Sequence, residues 1–226
     1  MAKPIEDRDP ADCCGPDADP RVARRFDRSW SDWDDQEGYP PMVDVSALLL
    51  DFLRDAPLVR PSVLEIGSGT GGVSVALLEM GARQVRGIDL SPASVDLARR
   101  RAAAAGFAEQ ATFEVGQGAA VRDQPYDWVI LDRVLCCDGH PDRMLDAVIG
   151  AAQRRVALSV PESRGWRGFL NRPLWAAEYA WDWLTGGCRG YVHDLRRIER
   201  RLASAGFRPV ATGRAGLWHV GVYDRS

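Results

Sequence analysis

Lysine is almost missing from this 226-residue chain: Lys3 is the only one, and every other cationic side chain is arginine. That bias reads as a mark of genomic base composition more than of function. Net charge is small as well, −3 at neutral pH, so nothing pulls the chain as a whole toward nucleic acid or anionic lipid. The charge is uneven, acidic over Met1 to Arg60 and rich in arginine over Arg189 to Arg214. Without interleaved aromatics, that basic stretch reads as a solvated helix face and not as a nucleic-acid module. Cysteines number five and show no CxxC spacing, which fits reduced thiols. Met1 to Asp7 has no apolar core of the kind a signal peptide carries, and no apolar run approaches membrane-spanning length. A cytoplasmic protein with no membrane and no nucleic-acid partner is the expectation. Histidine is sparse, only His140, His193 and His219, and this shortens the roster of bases.

What is present is enough for a single core. Hydrophobic residues make up 46% and charged residues 27%, the balance of one α/β domain with decorations. Residues 1–20, rich in Asp and Pro, read as a mobile tail, and 21–226 as one domain. Phe26, Trp30 and Trp33 share a helical spacing within Arg21 to Tyr39, and Val43 to Leu53 is an apolar helix, so 21–56 reads as N-terminal cap helices. From Ser62 the pattern alternates. Strands are expected over Ser62–Ile66, Gln84–Ile88, Ala111–Val115, Trp128–Leu131 and Val156–Val160. Helices fall between them over Val73–Met80, from Ser91 to Gly106, and over Arg143–Ala152. The second helix is punctuated clearly, with Ser91 as cap, Pro92 in its first turn and Gly106 as its stop. This alternation means a doubly wound, mostly parallel sheet, Rossmann-like in class. Such sheets bind ligands beyond the carboxyl ends of their strands, where Glu65, Asp89 and Asp132 stand. Residues 161–190 depart from a minimal fold. Trp166, Leu170, Leu174, Ala177, Trp181 and Leu184 form an apolar stripe at helical spacing. It fits a helical lid insertion over an apolar substrate about as well as a helix packed on the core. A helix over Asp194–Ala205 and two β segments, Pro209–Thr212 and Leu217–Tyr223, close the chain.

The densest signal is Val63-Leu64-Glu65-Ile66-Gly67-Ser68-Gly69-Thr70-Gly71-Gly72, a strand, a tight turn and a helix start. It places a nucleotide against backbone amides. Gly67, Gly69 and Gly72 satisfy GxGxxG literally, which on its own suits a dinucleotide. Glu65 argues against that. A carboxylate two residues before the loop would face an anionic pyrophosphate with little water to screen the repulsion. S-adenosylmethionine carries no phosphate; it has a sulfonium, an α-ammonium and a carboxylate. Glu65 favours the cations, and the loop amides can serve the carboxylate.

Glu65-x-Gly67-x-Gly69-x-Gly71 resembles the first motif of class I S-adenosylmethionine-dependent methyltransferases. The resemblance runs through roughly Leu58 to Val160 and more weakly beyond. It implies that Glu65, Gly67, Ser68, Gly69 and Gly71 cradle the methionine end of the cofactor. Gly87-Ile88-Asp89-Leu90-Ser91 is similar to the second motif, which implies that Asp89 accepts hydrogen bonds from both ribose hydroxyls, with Leu90 beside it. Phe113 to Gly118 is similar to the third, which implies that Gln117, where many relatives have Asp, meets the adenine edge while Gly118 and Ala119 supply backbone. Tyr126 to Cys137 is similar to the fourth, where Asp132 and Arg133 face methyl and substrate. Leu131-Asp132-Arg133-Val134-Leu135-Cys136-Cys137, with Cys13-Cys14, also resembles bacterial magnesium-protoporphyrin O-methyltransferase-like proteins; Asp138-Gly139-His140-Pro141 departs from the Tyr-Pro those relatives often have.

Methyl transfer is an in-line displacement on an activated sulfonium, so approach geometry and a dry pocket matter most. O-methylation of a small molecule is expected. A carboxylate acceptor needs no base but wants an arginine clamp, for which Arg133, Arg164 and Arg167 are candidates against a plain surface role. A hydroxyl wants a base. His140 follows the fourth strand and His193 precedes the late helix; Asp132 either orients substrate or only ends its strand. His219, in a terminal strand, reads as structural. No metal is expected, since the adjacent cysteines lack companion ligands at familiar spacing, and metalloid capture followed by methylation stays a minor option. The competing classes are an NAD-dependent oxidoreductase and a non-catalytic cofactor-binding protein. The expected partner is a small, partly apolar or aromatic methyl acceptor, with self-association open.

Overall fold

The computed structural model describes residues 20–31, 33, 38–54, 60–118, 124–184 and 190–226. The tail over 1–20 with Cys13 and Cys14, Ala119, Pro57 and the Gly186-Gly187 stop fall outside that set, apart from Pro20 itself. The side chains of Trp181 and Leu184 do so too.

Seven strands form one sheet: β1 (Ser62–Ile66), β2 (Gln84–Asp89), β3 (Ala111–Val115), β4 (Tyr126–Asp132), β5 (Ala152–Pro161), β6 (Phe207–Ala215) and β7 (Trp218–Arg225). Their order is β3-β2-β1-β4-β5-β7-β6. β1 to β5 run parallel, and β7 is antiparallel to both β5 and β6. This is the doubly wound, mostly parallel sheet expected from the alternating pattern, closed by a reversed strand. The chain adds β2 and β3 on one side of β1 and β4 and β5 on the other, so the strand order reverses there and the crevice of the sheet opens at the carboxyl end of β1.

Helices cover both faces. α1 (Pro20–Trp30) and α2 (Asp44–Arg54) precede the sheet, and α3 (Gly72–Glu79), α4 (Pro92–Ala104), α5 (Pro141–Ala151), α6 (Gly165–Leu184) and α7 (Leu195–Ser204) follow. Strand alternation sorts the core. Val63, Trp128 and Ile130 point to the face packed by Leu49, Leu53 and Leu77 of α2 and α3. Leu64, Val129 and Leu131 point to the face packed by Leu145, Val148 and Ile198 of α5 and α7. Being buried on both sides is why these strands read as continuous apolar runs.

Local signals explain most boundaries. Ser91 accepts from the Ser94 N–H at 3.1 Å, with Pro92 in the first turn, and Gly106 takes a positive φ of 82° just past the end. α1 stops earlier than the Arg21–Tyr39 helical spacing predicts. Beyond Trp30 the chain turns, with the Trp33 indole N–H donating to the Gly38 carbonyl at 2.8 Å and its ring tilted on Trp30 at 5.4 Å. β6 runs longer than the Pro209–Thr212 expectation and shifts register between Pro209 and Ala211, as a strand residue without an N–H requires. Among the described residues no helix is long and apolar enough to cross a membrane.

Candidate active site

Glu65, Asp89 and Asp132 sit at the carboxyl ends of adjacent strands. There a cavity of about 1120 Å³ opens, walled by the glycine loop, the ends of β2, β3 and β4, α1, and the segment Pro40 to Val43. Asp27 of α1 fixes that helix in place. Its Oδ1 accepts from the Ser91 hydroxyl at 3.2 Å and the Ala93 N–H at 3.0 Å, a carboxylate against the N-terminus of α4. Val22, Phe26 and Trp30 thereby become part of the wall.

The loop is shaped by close approaches. Gly67, Gly69 and Gly71 all have positive φ. A Cβ on Gly71 would come within 2.9 Å of Ala98 Cβ, so Gly71 serves the seating of α3 on α4. It does not line the cavity, unlike Gly67, Ser68, Gly69, Thr70 and Gly72. Gly118 is tighter still, since a Cβ there would stand 2.0 Å from Ile66 Cγ2. Only glycine lets the chain after β3 cross the end of β1.

Glu65 is 2% exposed and takes a hydrogen bond from the Ser74 hydroxyl of α3. Burial, opposed by that bond and reinforced by Asp132 and Asp89, pushes its carboxyl up to about 8. Asp89 is held from two sides: Oδ2 accepts from Gly69 N–H and Oδ1 from Ser91 N–H, both at 2.9 Å. Burial raises its pKa while these amides pull it down. Among the described residues Ser68 Oγ and Gln117 Nε2 are buried without a protein partner, and both belong to residues of the wall. Unpaired buried polar groups are costly unless a ligand completes them. Two carboxylates, a hydroxyl and an amide around a glycine cradle fit a nucleoside with a cationic tail.

At the β4 end, Asp132 accepts from Ser159 Oγ at 2.6 Å and from Ser46 Oγ of α2. Arg133 stands in the left-handed region at φ 58°, a strained position for a residue with a Cβ. Its N–H donates to Ser159 Oγ at 2.8 Å, and its Nε lies 3.5 Å from Asp132 Oδ2. Leu90, Gly118, Asp132, Arg133, Cys137 and His140 all reach the cavity. Cys136 is buried, its Sγ bonded to the Arg133 carbonyl at 3.2 Å.

Other candidates lie elsewhere. His193 Nε2 faces the carbonyls of Leu135 and Asp138 at 2.8 and 2.9 Å, which pins the turn after β4, and the residue is not part of the cavity wall. Arg164 is engaged with Glu162 and Glu199. Arg167 donates to the Gly216 carbonyl at 2.7 Å. His219 sits in the same buried cluster, between Arg164 and Tyr223 at 3.2 and 3.3 Å, and burial drives it down to about 4. No described side chain of α6 lines the cavity. Trp166 and Phe169 are 67% and 77% exposed, whereas Trp175 is buried against Trp218. Among the described residues, the stripe over 161–190 thus places no side chain on this cavity's wall and leaves Trp166 exposed while Trp175 packs on the core. Ser46, Arg101 and Tyr191 also form part of the wall. None belongs to a motif, so sequence patterning had no means to single them out.

A parallel sheet with this strand order, a glycine loop at the switch point and an acid at the end of β2 define a nucleotide-dependent transferase fold of the methyltransferase type. A family model described as a methyltransferase domain matches residues 63–157. A ubiquinone biosynthesis O-methyltransferase of Methylocella silvestris is 30% identical, with 83% of this chain and 79% of that protein covered. A ribosomal protein L11 methyltransferase of Aliivibrio salmonicida is 32% identical over 47% of this chain. The chain spans about a third of the length of the first curated relatives it matches. In fold it is similar to magnesium protoporphyrin IX methyltransferase of Synechocystis solved with S-adenosylhomocysteine, at a TM-score of 0.69 and 22% identity, covering 90% of this chain and 98% of that one. The chain belongs to the class I S-adenosylmethionine-dependent methyltransferases, enzymes whose methyl donor is S-adenosylmethionine.

Proposed function

We propose that this protein methylates a small molecule on oxygen, at a carboxylate or a hydroxyl. The observation that carries this is the shape and lining of the cavity. Besides the residues assigned to the nucleoside, its lining combines the apolar side chains of Phe26, Trp30, Met42 and Val43 with the polar side chains of Arg133 and His140. An apolar lining with a few polar groups is what a compact, partly apolar acceptor requires. Two relatives matched over most of their length are named ubiquinone biosynthesis O-methyltransferases, and this supports O-methylation here.

In this reading Asp89 receives the ribose hydroxyls, Gln117 and Gly118 the adenine, and Glu65 with the loop amides the methionine end. Bound there, the donor supplies a methyl group on a positively charged sulfur. The chain supplies the rest. Phe26 and Trp30 exclude water, Arg133 holds an acceptor carboxylate, and His140 takes the proton when the acceptor is a hydroxyl. Asp132, fixed by Ser46 and Ser159, keeps the β4 end rigid between donor and acceptor. His193 acts only by holding the turn that presents His140. Residues 21–56 cap the cavity as part of the single domain spanning 21–226.

A panel of phenolic, quinol and carboxylic acceptors read by release of S-adenosylhomocysteine tests this. Turnover with at least one aromatic hydroxyl or carboxylate is expected. Turnover confined to protein or peptide acceptors would contradict it.

A further inference from the structure

The glycine-loop side of the cavity carries one cation that no motif accounts for. Arg101 extends from α4 across the first turn of α3, and a Cβ on Gly72 would lie 3.1 Å from its Nη1. The guanidinium thus lies close against the backbone at the start of α3. The Tyr39 ring covers it at 5.4 Å from the centroid, and Nη1 leans on the Pro40 carbonyl at 3.4 Å. Both contacts orient the group, and neither neutralises it. Partial burial lowers its pKa, and the charges of Tyr39, Glu79 and Glu65 act on it in the opposite sense. Glu65 and Arg101 both line this cavity, and Glu65 is among the groups whose charge acts on Arg101. The cavity's other arginines, Arg133 and Arg143, belong to the β4–α5 side, where the acceptor is placed.

We propose that Arg101 binds the α-carboxylate of the methyl donor, so that Glu65 and Arg101 together read its amino-acid end as a zwitterion. A carboxylate beside the ammonium and a guanidinium beside the carboxylate form a complementary pair. A planar fork already stacked on a ring loses little freedom on engaging a carboxylate. The assignment rests on the family's donor occupying this cavity, and it adds a residue that discriminates among adenosyl compounds by their tails. Arg101 is a binding residue; the acceptor end is untouched by it.

Calorimetric titration with two probes tests this: S-adenosylhomocysteine, and its decarboxylated counterpart S-adenosyl-3-thiopropylamine, which keeps the ammonium and lacks the carboxylate. Arg101→Gln is expected to weaken S-adenosylhomocysteine by about 10- to 100-fold, the range for a charged hydrogen-bonded contact, and to leave the decarboxylated compound unchanged. Arg101→Lys falls between the wild type and the Gln variant, because it keeps charge without the fork. Unchanged binding of the amine in the variant also shows that the site is folded. Equal loss for both probes, or loss for neither, overturns the proposal. Failure of the wild-type protein to bind either probe would instead remove the donor from this cavity.

Discussion

Glu65 concentrates the chemistry of the donor site in one titration. Unliganded, its carboxyl holds a proton up to about pH 8 because burial penalises the charge. The α-ammonium shared by the donor and S-adenosylhomocysteine reverses that balance by favouring the carboxylate. Binding then releases a proton, so affinity for S-adenosylhomocysteine is expected to climb with pH by up to about tenfold per unit and to level off near pH 8. Glu65→Gln should flatten this profile, and calorimetry in buffers of different ionisation enthalpy reads the proton directly. Stability has the opposite sign. The unfolded carboxyl titrates at 4.5 and the folded one at about 8, so the free protein loses stability as pH rises between those values and none beyond. An affinity independent of pH would separate Glu65 from the donor's charge. The expectation that Glu65 disfavours a pyrophosphate was legible in sequence because it needs only charge and spacing. Its raised pKa was not, because that follows from a burial only the fold creates. Arg101 shows the same limit. Its position in the helix Pro92–Ala104 reads as surface until Gly72 and Tyr39 are brought against it.

Helices and strands differ in how openly they declare themselves. Ser91, Pro92 and Gly106 punctuate α4 by local chemistry, and its boundaries follow from them. The stripe of α6 offers no such information, since a helical apolar face does not say what it meets. Its anchor was invisible for the same reason. Asn171, fully buried, donates from one Nδ2 to the carbonyls of Glu162 and Leu217, both at 2.9 Å. Glu162 beneath it is raised by burial but held at about 2 by Arg164 and Arg214. Asn171→Ala should cost about 2–3 kcal/mol of stability by stranding those carbonyls. It should leave affinity for S-adenosylhomocysteine unchanged, because no described side chain of α6 walls the cavity. Denaturant unfolding and a ligand titration on the same variant check both parts. A large change in affinity would restore a covering role to residues 161–190.

For the molecule as a whole, five alternating β units dictate a parallel sheet, and the sheet dictates where the ligand goes. Three acids at successive strand ends were readable before any coordinate, and the fold gathers Glu65, Asp89 and Asp132 around one cavity. The antiparallel insertion of β7 between β5 and β6 was not readable, since two β segments in sequence carry no sign of their order. Nor was the docking of α1 through Asp27, a contact spanning more than sixty residues. The central claim is that the donor's nucleoside is held at the end of β2. Calorimetric titration of S-adenosylhomocysteine into the wild-type protein and Asp89→Ala tests it directly. The expected result is binding to the wild type and affinity at least about tenfold lower in the variant, with cooperative unfolding retained. Equal affinity in the two proteins would contradict the account.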